Sequence, residues 1–394
     1  MLSDKIAENL GRSSWIRAMF EEGDKLRAVH GADNVFDFTL GNPDTEPPNS
    51  VKEAFIKLAH DDTPGRHRYM NNAGYVDVRE AVAQQLRKES GVNLSAKHVV
   101  MTCGAAGGLN VVLKTILNPE DEVIVLAPYF VEYLFYIDNH GGKPVIVNTS
   151  AEDFQPDVEA VAAAVTPQTK AVIINSPNNP TGVMYSEQAL QSLSAALKAK
   201  EKEFESNIYV LSDEPYNKIV YDGAVLPQVL KIFQNAFVIN SFSKSLSLPG
   251  ERIGYIAANP AMDFCEQLLE GLVFCNRTLG FVNAPAFAQK AIAGSLDEAA
   301  DVEQYKEKRD ILYNHLIKLG FSCIKPEGAF YLFPQALIPD DVEFAKLALK
   351  HKLLLVPGKG FGCPGYIRIS YCVSMKTVKN SLPAFEALVK EVRG

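Results

Sequence analysis

The sequence has little of several features that mark specialised proteins. Its 394 residues include one tryptophan, and the six cysteines form no Cys-x-x-Cys pair of the kind that indicates zinc or redox chemistry. No apolar run approaches the roughly 18 residues that a membrane-spanning helix needs. The net charge of −8 disfavours nucleic acid as a partner, because a negative surface repels phosphate groups. No Gly-x-Gly-x-x-Gly sequence follows the first predicted sheet strand, which argues against a nicotinamide dehydrogenase.

The composition is that of an ordinary folded protein. Hydrophobic residues make up 47% of the chain and charged residues 22%. At about 150 residues per domain, the length predicts two or three structural units. The N-terminal residues contain no apolar segment that would direct secretion, so we expect a cytoplasmic protein with reduced cysteines. The histidines show no metal-ligand spacing, so we expect no metal site.

Short apolar runs rich in Val and Ile alternate with helical patterns from about residue 98 to 259. These runs lack the inside–outside alternation of a strand with one wet face, which is typical of strands buried on both faces of a largely parallel sheet. The pattern predicts an α/β sandwich whose functional loops lie at the carboxyl ends of the strands. The predicted strands read HVVMTCG, DEVIVLAP, KPVIVNT, KAVIINS, IYVLSDE, AFVINS and RIGYIAAN.

The pattern changes after about residue 286. One long helical stretch, residues 287–320, is followed by short strands and two further helical stretches. This predicts a smaller α+β domain, against which the first residues of the chain pack. We therefore expect an N-terminal segment (1–44), a large domain (45–285) and a small C-terminal domain (286–394). The glycine-rich segment PGKGFGCPG, residues 357–365, is interpreted as a turn of the small domain.

The segment SFSKSLSLPGER, residues 241–252, carries the first chemical signal. A predicted strand delivers Ser241, Ser243 and Lys244 to a loop, and Arg252 follows. Short hydroxyl donors beside a planar guanidinium suit a phosphate group. The lysine is either a further cation or a nucleophile for an aldehyde. Taken alone, the segment is a weak signal and is better explained as a solvated Ser/Lys loop.

Three further motifs change that interpretation: PYFVEY at 128–133, SPNNPTG at 176–182 and LSDEPY at 211–216. Together with residues 241–252 they resemble the class I/II aminotransferases, fold type I enzymes dependent on pyridoxal 5′-phosphate (PLP). The resemblance extends from Gly41 to Arg368. It implies a mostly parallel seven-stranded sheet sandwiched by helices plus a smaller α+β domain. It also implies ping-pong transfer of an amino group between an L-amino acid and a 2-oxo acid.

The resemblance assigns the central cofactor contacts. Lys244 corresponds to the Schiff-base lysine, which also carries the proton during the reaction and needs a lowered pKa for both tasks. Asp213 corresponds to the carboxylate that pairs with the protonated pyridine nitrogen and keeps the ring an electron sink. Tyr216 and Asn179 correspond to the residues that hydrogen-bond the ring oxygen O3′.

The resemblance also assigns the ring face and the phosphate. Phe130 stands where the family commonly has a tryptophan stacked on the ring, and it still offers an aromatic face. The segment CGAAGG, residues 103–108, opens a helix, whose free N–H groups and dipole favour an anion. The implied phosphate contacts are the backbone of Gly104, Ala105 and Ala106 and the side chains of Ser241, Ser243 and Arg252.

Substrate and partner contacts follow from the same resemblance. Arg368 matches the arginine that binds the substrate α-carboxylate, and the backbone N–H of Gly41 is expected to face the same group. Asn179 is expected to contact the substrate as well. Tyr69 matches a tyrosine that reaches the phosphate in the neighbouring subunit's site, so we expect a homodimer with shared active sites.

The substrate side chain is not determined by the motifs. Arg277 lies near the position of an arginine that reads a distal carboxylate in aspartate-specific relatives, but one residue out of register, and Arg66, Arg68 and Arg17 are further candidates. Aspartate with 2-oxoglutarate, alanine and aromatic amino acids all remain open. The alternatives are a PLP-dependent C–S lyase or synthase, and a non-catalytic PLP-binding regulatory module, which would need a helix-turn-helix domain before the motifs.

Overall fold

The computed structural model of the protein describes residues 2–394, apart from the side chains of residues 11–21 and 32. Arg17, one of the candidate carboxylate readers, therefore lies outside the described residues. Among the described helices, none combines the length and the apolar character needed to cross a membrane. The helices are α1 (Asp4–His30), α2 (Asn49–Ala59), α3 (Val76–Ser90), α4 (Gly104–Ile116), α5 (Glu132–Asn139), α6 (Val158–Ala164), α7 (Glu187–Phe204), α8 (Val229–Ile232), α9 (Phe242–Ser245), α10 (Cys265–Thr278), α11 (Ala286–Ile292), α12 (Val302–Lys318), α13 (Asp341–Lys350) and α14 (Met375–Arg393).

A seven-stranded sheet in the order β2-β8-β7-β6-β5-β3-β4 forms the centre of the molecule. All its strand pairs are parallel except the two that β8 makes, with β2 and with β7. Each of the seven predicted strands is present, which confirms the predicted α/β fold. The strands are β1 (Phe36–Asp37), β2 (Val99–Thr102), β3 (Glu122–Ala127), β4 (Lys143–Asn148), β5 (Thr169–Asn175), β6 (Tyr209–Asp213), β7 (Ala236–Ser241), β8 (Gly254–Ala258), β9 (Tyr331–Leu332), β10 (Leu353–Leu354), β11 (Val356–Pro357) and β12 (Ile367–Ser370).

The central sheet is buried on both faces except at its edge strand β4, whose residues are mostly exposed. Val172 and Ile174 of β5 belong to one hydrophobic cluster, whereas Ile173 between them belongs to the cluster on the opposite face. Successive residues of a strand point to opposite sides, so a strand covered on both sides needs an unbroken apolar run. This is why the predicted strands showed no alternation.

The long helical stretch predicted for residues 287–320 is wrong over its middle part. Helix α11 ends at Ile292 and α12 begins at Val302. The carboxylate of Asp301 accepts a hydrogen bond from the backbone N–H of Gln304 and thereby caps α12. Just before it, the N–H of Ala300 donates to the carbonyl of Ser245 at 2.6 Å, which ties the interruption to the end of α9.

The N-terminal part of the chain packs against the C-terminal part. Strand β1 pairs in parallel with β10, and Phe38 lies 6.1 Å from Phe385 of α14, ring centroid to ring centroid. The buried ammonium of Lys308 on α12 pairs with Asp44 at 2.6 Å. We propose on these contacts that residues 1–44 and 286–394 form the smaller domain, with residues 45–285 as the larger one.

Candidate functional site

A cavity of about 400 Å³ opens at the carboxyl ends of the sheet strands, between the sheet and the C-terminal part of the chain. Strands β5, β6 and β7 end at Asn175, Asp213 and Ser241, and all three residues line it. Ligand sites of open α/β sheets lie at this edge. The structure brings most of the predicted site residues to this cavity: Gly41, Ala105, Ala106, Phe130, Asn179, Asp213, Tyr216, Ser241, Ser243, Lys244, Arg252 and Arg368.

Lys244 lies on the short helix α9, directly after β7. Its Nζ donates a hydrogen bond to the carbonyl oxygen of Gly41 at 2.5 Å. Burial lowers the pKa of Lys244 to about 8; the nearby Cys372 acts in the opposite direction, while the positive charges of Arg368 and Arg252 lower it further. A large fraction of this amine is therefore neutral at mildly alkaline pH.

Asp213 is a buried carboxylate with one free oxygen. The hydroxyl of Tyr133 donates to its Oδ2 at 2.5 Å, whereas Oδ1 is buried and has no hydrogen-bond partner among the described residues. The side chain of Asn175 donates to the backbone carbonyl of Asp213 at 2.8 Å and fixes the end of β6. Burial raises the pKa of Asp213 to about 6, although the Tyr133 hydrogen bond opposes this. An unpaired buried carboxylate oxygen is costly unless a ligand donates to it.

Arg252 and the first turn of α4 form a second polar end of the cavity. Gly104 has a positive φ of 74°, and a Cβ there would lie 3.0 Å from Nη2 of Arg252. Arg252 itself has a positive φ of 52° and donates from Nη1 to the carbonyl of Pro249. A non-glycine residue in this conformation is strained, and such strain occurs often at binding sites. The guanidinium and the free N–H groups of α4 suit an anion.

Arg368 on β12 is buried without a carboxylate partner among the described residues. Its Nη1 donates to Oδ1 of Asn179 at 3.0 Å and its Nη2 to the carbonyl of Thr39 at 2.5 Å, while Nε has no partner there. The guanidinium lies 5.0 Å from the ring centroid of Tyr331 and 4.7 Å from that of Phe361. Burial lowers the pKa of Arg368. A buried cation without an anion is a ready site for a carboxylate.

Aromatic rings cover the space between these charged groups. Phe130 packs edge-on against Tyr133 at 5.5 Å between ring centroids. The hydroxyls of Tyr216 and Tyr331 lie 2.7 Å apart, and burial raises the pKa of Tyr216 well above its usual value. The cavity thus combines an amine of low pKa, an unpaired carboxylate oxygen and two separated arginines. Such a cavity fits a flat ligand that carries an anionic group, together with a second molecule that carries a carboxylate.

Several residues of this site were missed by the sequence analysis. Tyr133 lies within the motif PYFVEY and Asn175 at the end of a predicted strand, so their positions, though not their contacts, were visible. Tyr331 was predicted only as part of a short strand. Phe361 lies in the segment interpreted as a small-domain turn, yet it lines the cavity together with Gly360. No motif assigned Tyr331, Gly360 or Phe361 to the site.

Tyr69 and the described candidate arginines do not line this cavity within one chain. The side chain of Tyr69 is 89% exposed and lies with Arg68 beside a separate surface pocket. Arg277 is exposed and stacks over Phe274, and Arg66 pairs with Asp61. Their predicted roles depend on a second subunit and stay predictions.

Comparison with known proteins agrees with this geometry. Residues 33–385 match the family described as "Aminotransferase class I and II". A crystal structure of an aminotransferase from Eubacterium rectale superposes with a TM-score of 0.96 at 40% identity, covering 100% of both chains. A protein of Bacillus subtilis (strain 168) named "Probable N-acetyl-LL-diaminopimelate aminotransferase" is 34% identical over 92% of this chain and 91% of its own length.

A further relative has a different named substrate. The aspartate aminotransferase of Thermotoga maritima is 33% identical over 91% of this chain and 92% of its own length. The match to the family covers most of the chain, and the relatives and the solved structure share both its sequence and its fold. The chain therefore belongs to the class I and II aminotransferases.

Proposed function

We propose that this protein binds PLP in the central cavity and transfers an amino group between an L-amino acid and a 2-oxo acid in a ping-pong reaction. The observation that carries the proposal is Oδ1 of Asp213, which has no hydrogen-bond partner among the described residues and lies in the same cavity as the low-pKa amine of Lys244. A buried carboxylate oxygen without a donor calls for a ligand with a protonated basic atom, and the pyridine nitrogen of PLP is such an atom.

The other cavity residues fit the same cofactor. Arg252 and the first turn of α4 would hold the phosphate, and Ser241 and Ser243 would add hydroxyl donors to it. Tyr216 and Asn179 would hydrogen-bond the ring oxygen, and Phe130 would cover the ring face. When bound, PLP supplies an electron sink for the charge that develops at the substrate Cα.

Arg368 would bind the substrate α-carboxylate. Its Nε has no partner among the described residues, and its two other nitrogens are held by Asn179 and Thr39, so the guanidinium is fixed before a ligand arrives. A carboxylate anchored there orients the Cα–H bond toward the catalytic amine, which is the main geometric requirement of the reaction.

Lys244 would move the proton. In its neutral form, Nζ would accept the proton from the substrate Cα. In its protonated form, it would donate that proton to the former aldehyde carbon of the cofactor. Because burial lowers its pKa to about 8, the neutral form is available near physiological pH. The carbonyl of Gly41, which holds Nζ at 2.5 Å, gives the amine a resting position.

The assembly and the compartment belong to the same proposal. An exposed tyrosine at position 69, beside an exposed pocket, supports a homodimer in which this residue completes the neighbouring site. The cysteines of the described chain are free, which supports a reducing, cytoplasmic setting. The relatives are named for different amino donors, N-acetyl-LL-diaminopimelate and aspartate, so their names support the reaction type more strongly than any one donor.

The test combines chemical labelling with half-reactions. Wild-type protein saturated with PLP and reduced with borohydride should carry the label on the peptide containing Lys244, and Lys244→Ala should lose both the label and transamination while staying folded. Lys231→Ala, which changes an exposed lysine, is the matched control. A wild-type protein without label on that peptide would overturn the proposal.

The reaction type is tested separately from cofactor binding. Each amino acid is added to the holoenzyme and the absorbance of the bound cofactor is followed, with assays for oxo acid, ammonia and pyruvate. Stoichiometric oxo acid without ammonia supports transamination. Release of ammonia and pyruvate would instead identify a β-eliminating enzyme.

A further inference from the structure

A second carboxylate, Glu132, faces the cavity in addition to Asp213. Glu132 is the first residue of α5, lines the cavity and is half-buried. It makes no hydrogen bond or ion pair within the described part of the chain. Burial raises its pKa, and its charge acts on the hydroxyl of Tyr136 one turn further along the helix. Glu132 has no role in the proposed transamination.

The position of Glu132 is not explained by helix capping alone. The N-terminus of a helix stabilises a negative charge, and Glu159 occupies the first turn of α6 in the same way. Glu159, however, is exposed to solvent, whereas Glu132 is half-buried in the cavity wall. The helix dipole favours an acidic residue at both positions. It does not explain why the carboxylate of Glu132 faces a cavity, where desolvation of a carboxylate costs free energy.

The cations of the cavity are already accounted for. Lys244, Arg252 and Arg368 are the positively charged residues among those that line it. Arg252 is held by the carbonyl of Pro249 and forms no ion pair with Glu132 within the described residues. A substrate whose α-carboxylate binds Arg368 therefore meets no further cation for a second carboxylate among the described residues that line the cavity. Apart from Asp213, the remaining charged side chain among the described lining residues is the carboxylate of Glu132.

We propose that Glu132 reads the distal end of the substrate side chain and selects amino donors that carry a positive charge there, such as an ω-ammonium or a guanidinium group. A cationic group pairs with Glu132 and offsets the free-energy cost of its half-buried, unpaired carboxylate, whereas a distal carboxylate is repelled. Dicarboxylic donors of the aspartate type are thus disfavoured. This inference rests on the proposed function, because it assigns the donor class of the same site.

The experiment compares donors in wild type and in Glu132→Gln, which keeps the shape and removes the charge. Single half-reactions of the PLP-loaded enzymes are measured with L-lysine, L-aspartate and L-alanine. Wild type should prefer lysine to aspartate in kcat/KM. In Glu132→Gln the ratio of aspartate to lysine in kcat/KM should rise at least about ten-fold, because the variant removes one negative charge from the cavity wall. Glu159→Gln, the matched helix-start control, should leave that ratio unchanged.

A binding measurement that needs no turnover gives a second readout. Succinate, a dicarboxylate that is not an amino donor, should bind the PLP-loaded Glu132→Gln at least about five-fold more tightly than wild type by calorimetry. A wild type that prefers aspartate to lysine would overturn the inference without any variant, as would an unchanged ratio in Glu132→Gln. The proposed function is judged separately, by the borohydride label on the Lys244 peptide and by the half-reactions with all amino acids, so the two failures are distinguishable.

Discussion

At the scale of single residues, the central feature is the uneven pairing of Asp213. One carboxylate oxygen accepts a hydrogen bond from Tyr133 and the other is buried without a donor among the described residues. The folded protein without cofactor therefore holds a carboxylate whose ionised form is unfavourable. In the proposed function, the group that relieves this cost is the cofactor itself.

This predicts that Asp213→Asn makes the cofactor-free protein more stable at neutral pH. The folded pKa of about 6 lies above the ordinary value of 3.8, so wild type loses stability as pH rises from about 4 to about 6. The Asn variant has no such loss. Its free energy of unfolding should exceed that of wild type by on the order of 2–3 kcal/mol at pH 7. Urea unfolding of the cofactor-free proteins measures this.

The pH dependence is the control for that prediction. The difference between Asp213→Asn and wild type should shrink toward zero as pH falls below about 4, because both side chains are then neutral. The same variant should bind PLP more weakly, so the signs of the two effects are opposite. Equal stability of the two proteins at pH 7 would show that the charge of Asp213 is compensated without a ligand.

At the scale of helices and strands, the sequence was informative where burial imposes a pattern. Six of the seven sheet strands have both faces covered, which requires continuous apolar runs that are visible in the sequence; the edge strand β4 is mostly exposed. The interruption between α11 and α12 was not predicted. It depends on the Asp301 cap and on a contact between Ala300 and Ser245, which are far apart in sequence.

The same division applies to the site. The positions of Lys244 and Asp213 at the cavity could be predicted, because short motifs at strand ends carry them and a strand end fixes where its last residues lie. The contacts of Tyr331 and Phe361 with Arg368 were not found. They arise where the C-terminal part of the chain closes over the sheet, and no local pattern encodes that arrangement.

Helix α4 offers a test of the proposed phosphate site. Gly104→Ala places a Cβ 3.0 Å from Nη2 of Arg252 and also forces a side chain into a positive φ. We expect the affinity for PLP to fall about ten-fold, because the guanidinium must move. Fluorescence titration of the cofactor-free protein measures this affinity.

Gly91, which ends α3, is the matched control for that variant. Its φ of +72° is close to that of Gly104, but a Cβ there meets nothing within 4 Å. Gly91→Ala should therefore lower thermal stability by a similar amount and leave PLP affinity unchanged. Equal PLP affinities of the two variants would mean that the contact with Arg252 has no role.

At the scale of the whole molecule, a single chain does not explain the position of Tyr69. Its exposed ring lies outside the cavity of its own chain, although the residue belongs to a motif that resembles a phosphate contact. A homodimer would explain both facts. Each cavity would then be completed by a residue of the partner.

Mixed dimers test this arrangement. Tyr69→Ala and Lys244→Ala should each be nearly inactive, but in a refolded mixture half of the dimers combine the two chains and contain one intact site. We expect recovery of about a quarter of wild-type activity, together with a dimeric mass by size-exclusion chromatography. A mixture that stays inactive while forming mixed dimers would contradict the shared site.

Arg368 joins three remote parts of the chain at one side chain. The residue lies on β12, its Nη2 is held by Thr39 near the N-terminus, and its Nη1 is held by Asn179 after β5. A small tilt of the C-terminal part against the sheet must stretch or turn at least one of these bonds. In the proposed function, where Arg368 binds the donor carboxylate, donor affinity therefore depends on how rigidly these three separate pieces of backbone are held relative to each other.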